Sequence, residues 1–253
     1  MAESMKRLTS TQHPLVKHLV KLRQNRDYRY EHKSLVIEGI KPVEEIVRHN
    51  RLKTIIVYNE ASIPLGAEAD EIVEVNEAVM RKISGMENPE GLIVEIAMPQ
   101  PSSLKDAHHV IVLDGINDPG NLGTLLRSAL ALGWDGAFIL GDCCDPFNEK
   151  ALRAARGATF RLPLGWGDWT SLKKMTEANG LTPLVADVNG IEVTQVKKQD
   201  RILLIMGNES HGASKEAKAF GQSVSISMPG AMESLNVAVA GGILMYALRQ
   251  VSR

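Results

Sequence analysis

The sequence predicts an α/β protein in two parts: a smaller α/β unit, then a larger one built on a parallel sheet. Three observations predict it. Short apolar runs alternate with stretches of helical spacing along most of the chain, the pattern of strands joined by helices. From residue 110 the runs VIVLDG, GAFILG and RILLIMG are almost continuously apolar, as in parallel strands buried on both faces. Between the two textures lies PQPSSLKDAHH (99–109), whose prolines, serines and polar residues mark a boundary. The chain has 253 residues, enough for two domains. We place them at 1–98 and 110–253, with 99–109 as a linker.

The elements follow in order. In HPLVKHLVKLRQN (13–25), Leu15, Val16, His18, Leu19 and Leu22 recur near helical spacing, with Lys17, Lys21, Arg23 and Arg26 mostly outside that stripe. SLVIEG (34–39) reads as a strand closed by glycine. A helix over about 41–49 follows, then the strand TIIVY (54–58). EIVEV (71–75) is a strand, 76–84 a helix, and GLIVEIAM (91–98) the last strand of the unit. In the second part VIVLDG starts a strand at 110, and DPGNLGTLLRSALALG (118–133) is a helix opened by an Asp-Pro-Gly turn. GAFILG (136–141), LTPLVADV (181–188), RILLIMG (201–207) and SVSISM (223–228) are strands. Helices are expected over 148–156, 168–179, 213–220 and 234–250.

Composition narrows the function classes. Apolar residues make up 44% and charged residues 23%, as in a water-exposed globular protein. No run of about 18 apolar residues indicates a membrane span. The start, MAESMKRLTSTQHP, lacks the apolar core of a signal peptide, and Glu3 argues against a transit peptide. A cytoplasmic protein with no membrane partner is expected. Cys143 and Cys144 are adjacent, so they cannot easily close a disulfide, and no Cys/His cluster suggests a metal. Residues 1–53 carry 12 Lys and Arg against 6 Asp and Glu, although the whole chain has net charge -1. A basic head on a mildly acidic body suggests that the head meets a polyanion.

Ligands in open α/β sheets sit at the carboxyl ends of the strands. Three such ends carry more Gly, Asn, Ser and Glu than a turn needs: LDGINDPGNLGTLLRSA, IMGNESHGAS and SMPGAMESLNVAVAGG. On a helical wheel Gly120, Gly123, Thr124 and Arg127 share one face of the first, away from Leu122, Leu125, Leu126 and Ala129. Two glycines beside a guanidinium would let a ligand approach closely. Asn121 is read as a helix-start residue or a site residue. GNESHG is not a nucleophile elbow, because Asn208 stands where that turn needs glycine two before Ser210. In the third stretch Ser234 is placed at the helix N-cap or first turn, ahead of a helix made small by Ala238, Ala240, Gly241 and Gly242. No phosphate-binding loop and no G-x-G-x-x-G fingerprint follows a strand.

Together these three stretches resemble the sequence motifs of the SpoU/TrmH RNA 2′-O-ribose methyltransferases, within the SPOUT class. The match lies at Asn121, Gly123 and Arg127, then Gly207, Asn208, Glu209 and Gly212, then Ser234, Leu235, Asn236 and Val237. DPFNEKALRAARGATFRLPL (145–164) is similar to the family's middle region, and the resemblance covers about 108–252. STQHPLVKHLVKL and the ENPEGLIVE stretch resemble the ribosomal-protein-like substrate-binding domain that many members carry. Ala238 departs from the serine common at that position and puts a secondary hydrogen bond in doubt.

The resemblance implies a deep C-terminal trefoil knot, a homodimer through the catalytic domain, and S-adenosyl-L-methionine as cofactor. It implies methylation of a ribose 2′-hydroxyl in structured RNA, ribosomal RNA being favoured over transfer RNA. A non-catalytic RNA-binding or assembly factor on the same fold is the rival reading. The implied catalytic residues are Arg127, Asn121, Glu209, Ser234 and Asn236. Gly207, Asn208, Ile226, Met228 and Leu235 are implied to hold the cofactor. Arg7, His13, Lys17, Lys21, Arg23 and Arg26 are the candidate contacts to RNA phosphates. Arginine titrates above about pH 12 and is a poor base, so Arg127 is either an unusual base or a charged clamp on phosphate and the developing 2′-oxygen.

Overall fold

The computed structural model describes residues 5–197 and 199–251, the side chains of 250 and 251 excepted. Glu3, used above, lies outside them. The chain forms two compact units. The first runs to Pro99 and also takes in Phe147–Gly157. The second comprises Gln100–Pro146 and the chain from Ala158 onward.

In the first unit the chain runs β1 (Lys6–Leu8), α1 (Pro14–Gln24), α2 (Arg26–His32), β2 (Ser34–Glu38), α3 (Ile40–Val47), β3 (Leu52–Val57), β4 (Ala69–Val75), α4 (Glu77–Ser84) and β5 (Leu92–Ala97). The sheet order is β1-β4-β3-β5-β2, with β5 antiparallel to both its neighbours and the other pairs parallel. α1 starts with Pro14 in its first turn, where the missing N–H costs nothing. Its expected stripe holds: Val16, Leu19 and Leu22 are buried against Ile56, Val73 and Ile93. Two elements were not anticipated. β1 is three residues long, too short to show a period. α2, RDYRYEH, is polar on every side and has no apolar stripe to read. It exists because its neighbours hold it. The Asn25 N–H closes α1 on the Lys21 carbonyl (2.8 Å), and its side-chain oxygen caps α2 by accepting from the Tyr28 amide (2.9 Å). Arg29, buried on α2, donates to the carbonyls of Leu22 (2.9 Å) and Arg23 (3.0 Å) at the end of α1.

The second unit opens with β6 (His109–Leu113), α5 (Pro119–Ala131) and β7 (Gly136–Leu140). The chain then contributes α6 (Glu149–Ala155) to the first unit, where Glu149 accepts from the Arg23 guanidinium (3.1 Å). β8 (Leu164–Gly167), α7 (Trp169–Asn179), β9 (Thr182–Glu192), β10 (Ile202–Met206), α8 (Lys215–Phe220), β11 (Gln222–Ser225) and α9 (Val237–Val251) complete the unit. Every strand pair is parallel, in the order β11-β9-β10-β6-β7-β8. The continuous apolar runs have their expected cause: β6, β7 and β10 are buried throughout. β8, LGWG, escaped notice because its glycines interrupt any pattern. The second half of PQPSSLKDAHH sends Leu104 and Ala107 into the same core as Val110, Phe138 and Leu203. α9 lies on α5, and a Cβ at Gly241 would run into the Leu125 side chain. Gly241 is therefore a packing residue, whereas a Cβ at Gly242 would meet nothing within 4 Å.

Candidate functional site

β6 and β10 are parallel neighbours, in register from His109 opposite Ile202 to Leu113 opposite Met206. The loops leaving their carboxyl ends therefore begin side by side. The Asp114 N–H donates to the Met206 carbonyl (2.9 Å), and beyond it side chains take over. Asn208 donates from Nδ2 to the Gly115 carbonyl (2.7 Å). Its Oδ1 accepts from the amides of Ser210 (2.9 Å) and His211 (3.0 Å), folding the second loop into a tight turn. One side chain thus shapes its own loop and ties it to the first.

Glu209 makes the next tie. Its Oε2 accepts from the Asn117 amide (3.1 Å), and its Oε1 from the Asp118 amide (3.0 Å) and Asn121 Nδ2 (3.2 Å). Asn121 Oδ1 then accepts from Asn236 Nδ2 (3.0 Å). Asn236 Oδ1 accepts from the amides of Ala238 (2.9 Å) and Val239 (3.3 Å), at the first turn of α9. One chain, Glu209–Asn121–Asn236, joins the loops after β6, β10 and β11. Partial burial pushes the Glu209 carboxyl up, but the Asn117 and Asp118 amides outweigh it and hold it below its ordinary value.

Asp118 caps α5 by accepting from the Asn121 amide (2.8 Å), so Asn121 stands in the first turn of the helix. Two readings of the sequence need correction. Asn236, not Ser234, sits at the start of α9; Ser234 is exposed, ahead of the helix. In both helices an Asx carbonyl reaches the free amides of the first turn. Gly123 is buried with the leucines, so it does not clear the face that carries Arg127.

A cavity of about 420 Å³ opens beside this network. Gly207, Asn208, Ile226, Met228 and Leu235 all line it, as do Glu209 and Ser234. Asn121, Asn236 and Arg127 do not. Gly207 is there by necessity: a Cβ would stand 2.5 Å from the backbone of Gly212 and Ala213. The loop closes over the one residue that leaves room. Sequence reading missed Asp187 and Lys218, paired at 2.7 Å on the cavity wall. Asp187 follows the apolar run of β9 as Asp114 follows that of β6, a signal that was legible; Lys218 had none.

Arg127 is exposed on α5, one turn beyond Gly123, and makes no hydrogen bond or ion pair among the described residues. The candidate phosphate contacts divide. Arg23 donates from Nε to the Ile83 carbonyl (2.8 Å) as well as to Glu149, and is largely covered. His13 accepts from the Leu15 amide at Nδ1 (3.2 Å), capping α1. Arg7 lies 3.4 Å from Glu74. Lys17, Lys21 and Arg26 are exposed. Burial pushes the Cys143 thiol up to about 12 and Cys144 to about 11, and both are free thiols. Among the described residues no group of His, Cys, Asp and Glu gathers to hold a metal, and no helix is long and apolar enough to cross a membrane.

Residues 108–246 match the model of the SpoU rRNA methylase family. The chain belongs to the SpoU rRNA methylase family. Residues 13–94 match an MRM3-like substrate binding domain, so the SpoU module is preceded by a second recognised one. The chain is 33% identical over 252 residues, 97% of its length and all of its relative's, to the 23S rRNA (guanosine(2553)-2′-O)-methyltransferase RlmP of Bacillus subtilis. It is 26% identical over 251 residues, 89% of this chain and 86% of the other, to a 23S rRNA (uridine(2479)-2′-O)-methyltransferase of Streptomyces viridochromogenes. The crystal structure of an AdoMet-bound rRNA methyltransferase from Sinorhizobium meliloti superposes with a TM-score of 0.85 at 28% identity, covering 98% of each chain.

Proposed function

We propose that this protein transfers a methyl group from S-adenosyl-L-methionine to a ribose 2′-hydroxyl of ribosomal RNA. The observation that carries the reading is the Glu209–Asn121–Asn236 chain beside the cavity. It ties three loops together, as a site that must align two reactants requires. The cavity's size is within the usual range for small-molecule sites. Its donor set also suits the cofactor: Ile226, Met228 and Leu235 offer apolar surface, and the loop around Gly207 and Asn208 offers peptide groups.

When bound, S-adenosyl-L-methionine supplies an electrophilic sulfonium methyl. The chain's own residues do the rest. Glu209 has both oxygens occupied by donors and a carboxyl held low, so it stays ionised and acts as an anchor for Asn121, not as a base. Asn236 holds Asn121 from the other side. Arg127 is the group left over, with its fork free among the described residues. A permanently charged guanidinium fits a clamp that binds the target phosphate bidentately and stabilises the negative charge growing on the 2′-oxygen as the hydroxyl proton passes to solvent water. Ser234, exposed at the cavity's edge, orients the ribose.

The finer parts of the reading have their own supports. α9 exposes Val239, Ile243 and Tyr246 in one row, an apolar face that suits a homodimer through this unit. Family membership and the all-parallel sheet support a trefoil knot in this unit. A cytoplasmic setting fits a ribosomal RNA substrate and two free thiols. The test is transfer of labelled methyl from the cofactor to ribosomal RNA stripped of this modification, with ribose-methylation mapping of the product. Label on transfer RNA alone would replace the substrate, and no cofactor binding by calorimetry would favour a non-catalytic RNA-binding factor.

A further inference from the structure

The first unit holds a polar network that the chemistry above does not use. Glu95 on β5 is buried, and accepts from the Ser34 hydroxyl (2.6 Å). His18 on α1 places Nε2 3.2 Å from the Glu95 carboxyl and Nδ1 3.0 Å from the Tyr28 hydroxyl. His18 bridges the Glu95 carboxyl and the Tyr28 hydroxyl through its two ring nitrogens. The Tyr28 ring on α2 is thus anchored through its hydroxyl to the sheet. His32, exposed at the end of α2, stacks on it with ring centroids 3.8 Å apart and planes 27° apart. His32 Nδ1 lies 3.0 Å from the Tyr28 carbonyl, which only accepts, so Nδ1 carries the proton and the ring is fixed in orientation. Lys21 Nζ sits 5.3 Å from the centre of the Tyr28 ring, and Lys17 is exposed one turn earlier on α1.

We propose that the stacked Tyr28–His32 pair, flanked by Lys21, is a platform on which one unpaired nucleobase of the RNA stacks, while Lys21 meets the adjoining phosphate. An aromatic pair anchored through Tyr28, ending on the exposed His32 and set beside Lys21, has the two features single-stranded RNA needs: a surface for a base and a charge for its backbone. Glu95 and His18 are positioning residues for that face. The proposal rests on RNA being the substrate, and it names where an unpaired base is held.

The test uses the full chain and two fluorescein-labelled probes of equal length, an oligoadenylate and an abasic oligoribonucleotide. His32→Ala is expected to weaken oligoadenylate binding roughly five- to a hundredfold, the worth of one stacked base, and to leave the abasic strand unchanged. His32→Trp restores stacking and with it the affinity. Lys21→Ala weakens both probes and lowers the salt slope by about 0.7, one phosphate contact to a single strand. Equal losses on both probes for His32→Ala, or no loss on either, overturn the platform. Wild-type methyl transfer to ribosomal RNA is measured separately. Its failure counts against the proposed function alone, whereas normal transfer beside an unselective His32→Ala result counts against the platform alone.

Discussion

The cavity side of the second unit and the α1–α2 surface of the first handle polar side chains in opposite ways. Around the cavity, Asn208, Glu209, Asn121 and Asn236 spend their hydrogen-bonding capacity on one another and on backbone amides. On the α1–α2 surface, Lys17, Lys21 and Arg26 point outward, with ring faces as the nearest partners of the latter two. The first arrangement suits a reaction in which small errors of position cost rate. The second suits a polyanion, whose affinity comes from charge and whose exact path varies. Arg127 is the exception that joins the two kinds: a free cation carried on the helix whose first turn is locked into the network.

The largest effect should come from that exception. Arg127→Lys keeps the charge and loses the fork, so methyl transfer is expected to fall by about a hundredfold or more, with cofactor affinity by calorimetry unchanged. A lysine variant within a few-fold of wild type would break the clamp reading. Next is Gly207→Ala. The new methyl must displace the Gly212–Ala213 backbone, at about 1–3 kcal/mol, so cofactor binding should weaken about tenfold or more while RNA binding holds. Equal loss of both would mean that the two regions are not separable. Asn236→Ala removes the α9 cap and one end of the loop chain; a cap costs about 1 kcal/mol, expected as a fall in Tm of roughly 2–4 °C together with slower methyl transfer.

A smaller effect sharpens the anchor role of Glu209. A carboxyl held low in the folded state stabilises it above its ordinary value of 4.5, and that stabilisation is lost as pH falls through the folded value. The Tm advantage of wild type over Glu209→Gln should therefore be flat near neutrality and vanish in acid; an advantage that persists at every pH would show that charge is not the cause. The smallest effects belong to the open surface. Lys17→Ala and Arg26→Ala should each lower the salt slope of RNA binding by about one contact and leave cofactor affinity alone. Truncation is a poorer tool, because removing the first hundred residues would strip α6 of the unit it packs into.

Most of the fold was legible because burial leaves a periodic trace. β6, β7 and β10 are buried end to end and, His109 apart, apolar, and α1 shows its stripe since one side packs. α2 left no trace because it has no run of apolar residues, and its stability comes from the Asn25 cap and the buried Arg29. At the site, residue types were legible and partners were not. Glu209 stands out in GNESHG, yet nothing in the sequence says that it accepts from the amides of Asn117 and Asp118 some ninety positions earlier. Arg23 and Lys21 looked alike on a wheel, but only Arg23 meets a carbonyl and a carboxylate brought from α4's end and α6.

By itself the sequence determined the layout: two α/β units, a parallel sheet in the second, three polar loops at strand ends, and the family whose motifs those loops carry. Only the tertiary structure decided which cations remain free, which asparagines cap helices, and that three loops are held by one chain of hydrogen bonds. The physical reason is range. Apolar periodicity and turn chemistry are local, written within a few residues, whereas a hydrogen bond between Asn121 and Asn236 exists only because α5 and α9 pack together through Gly241 and Leu125.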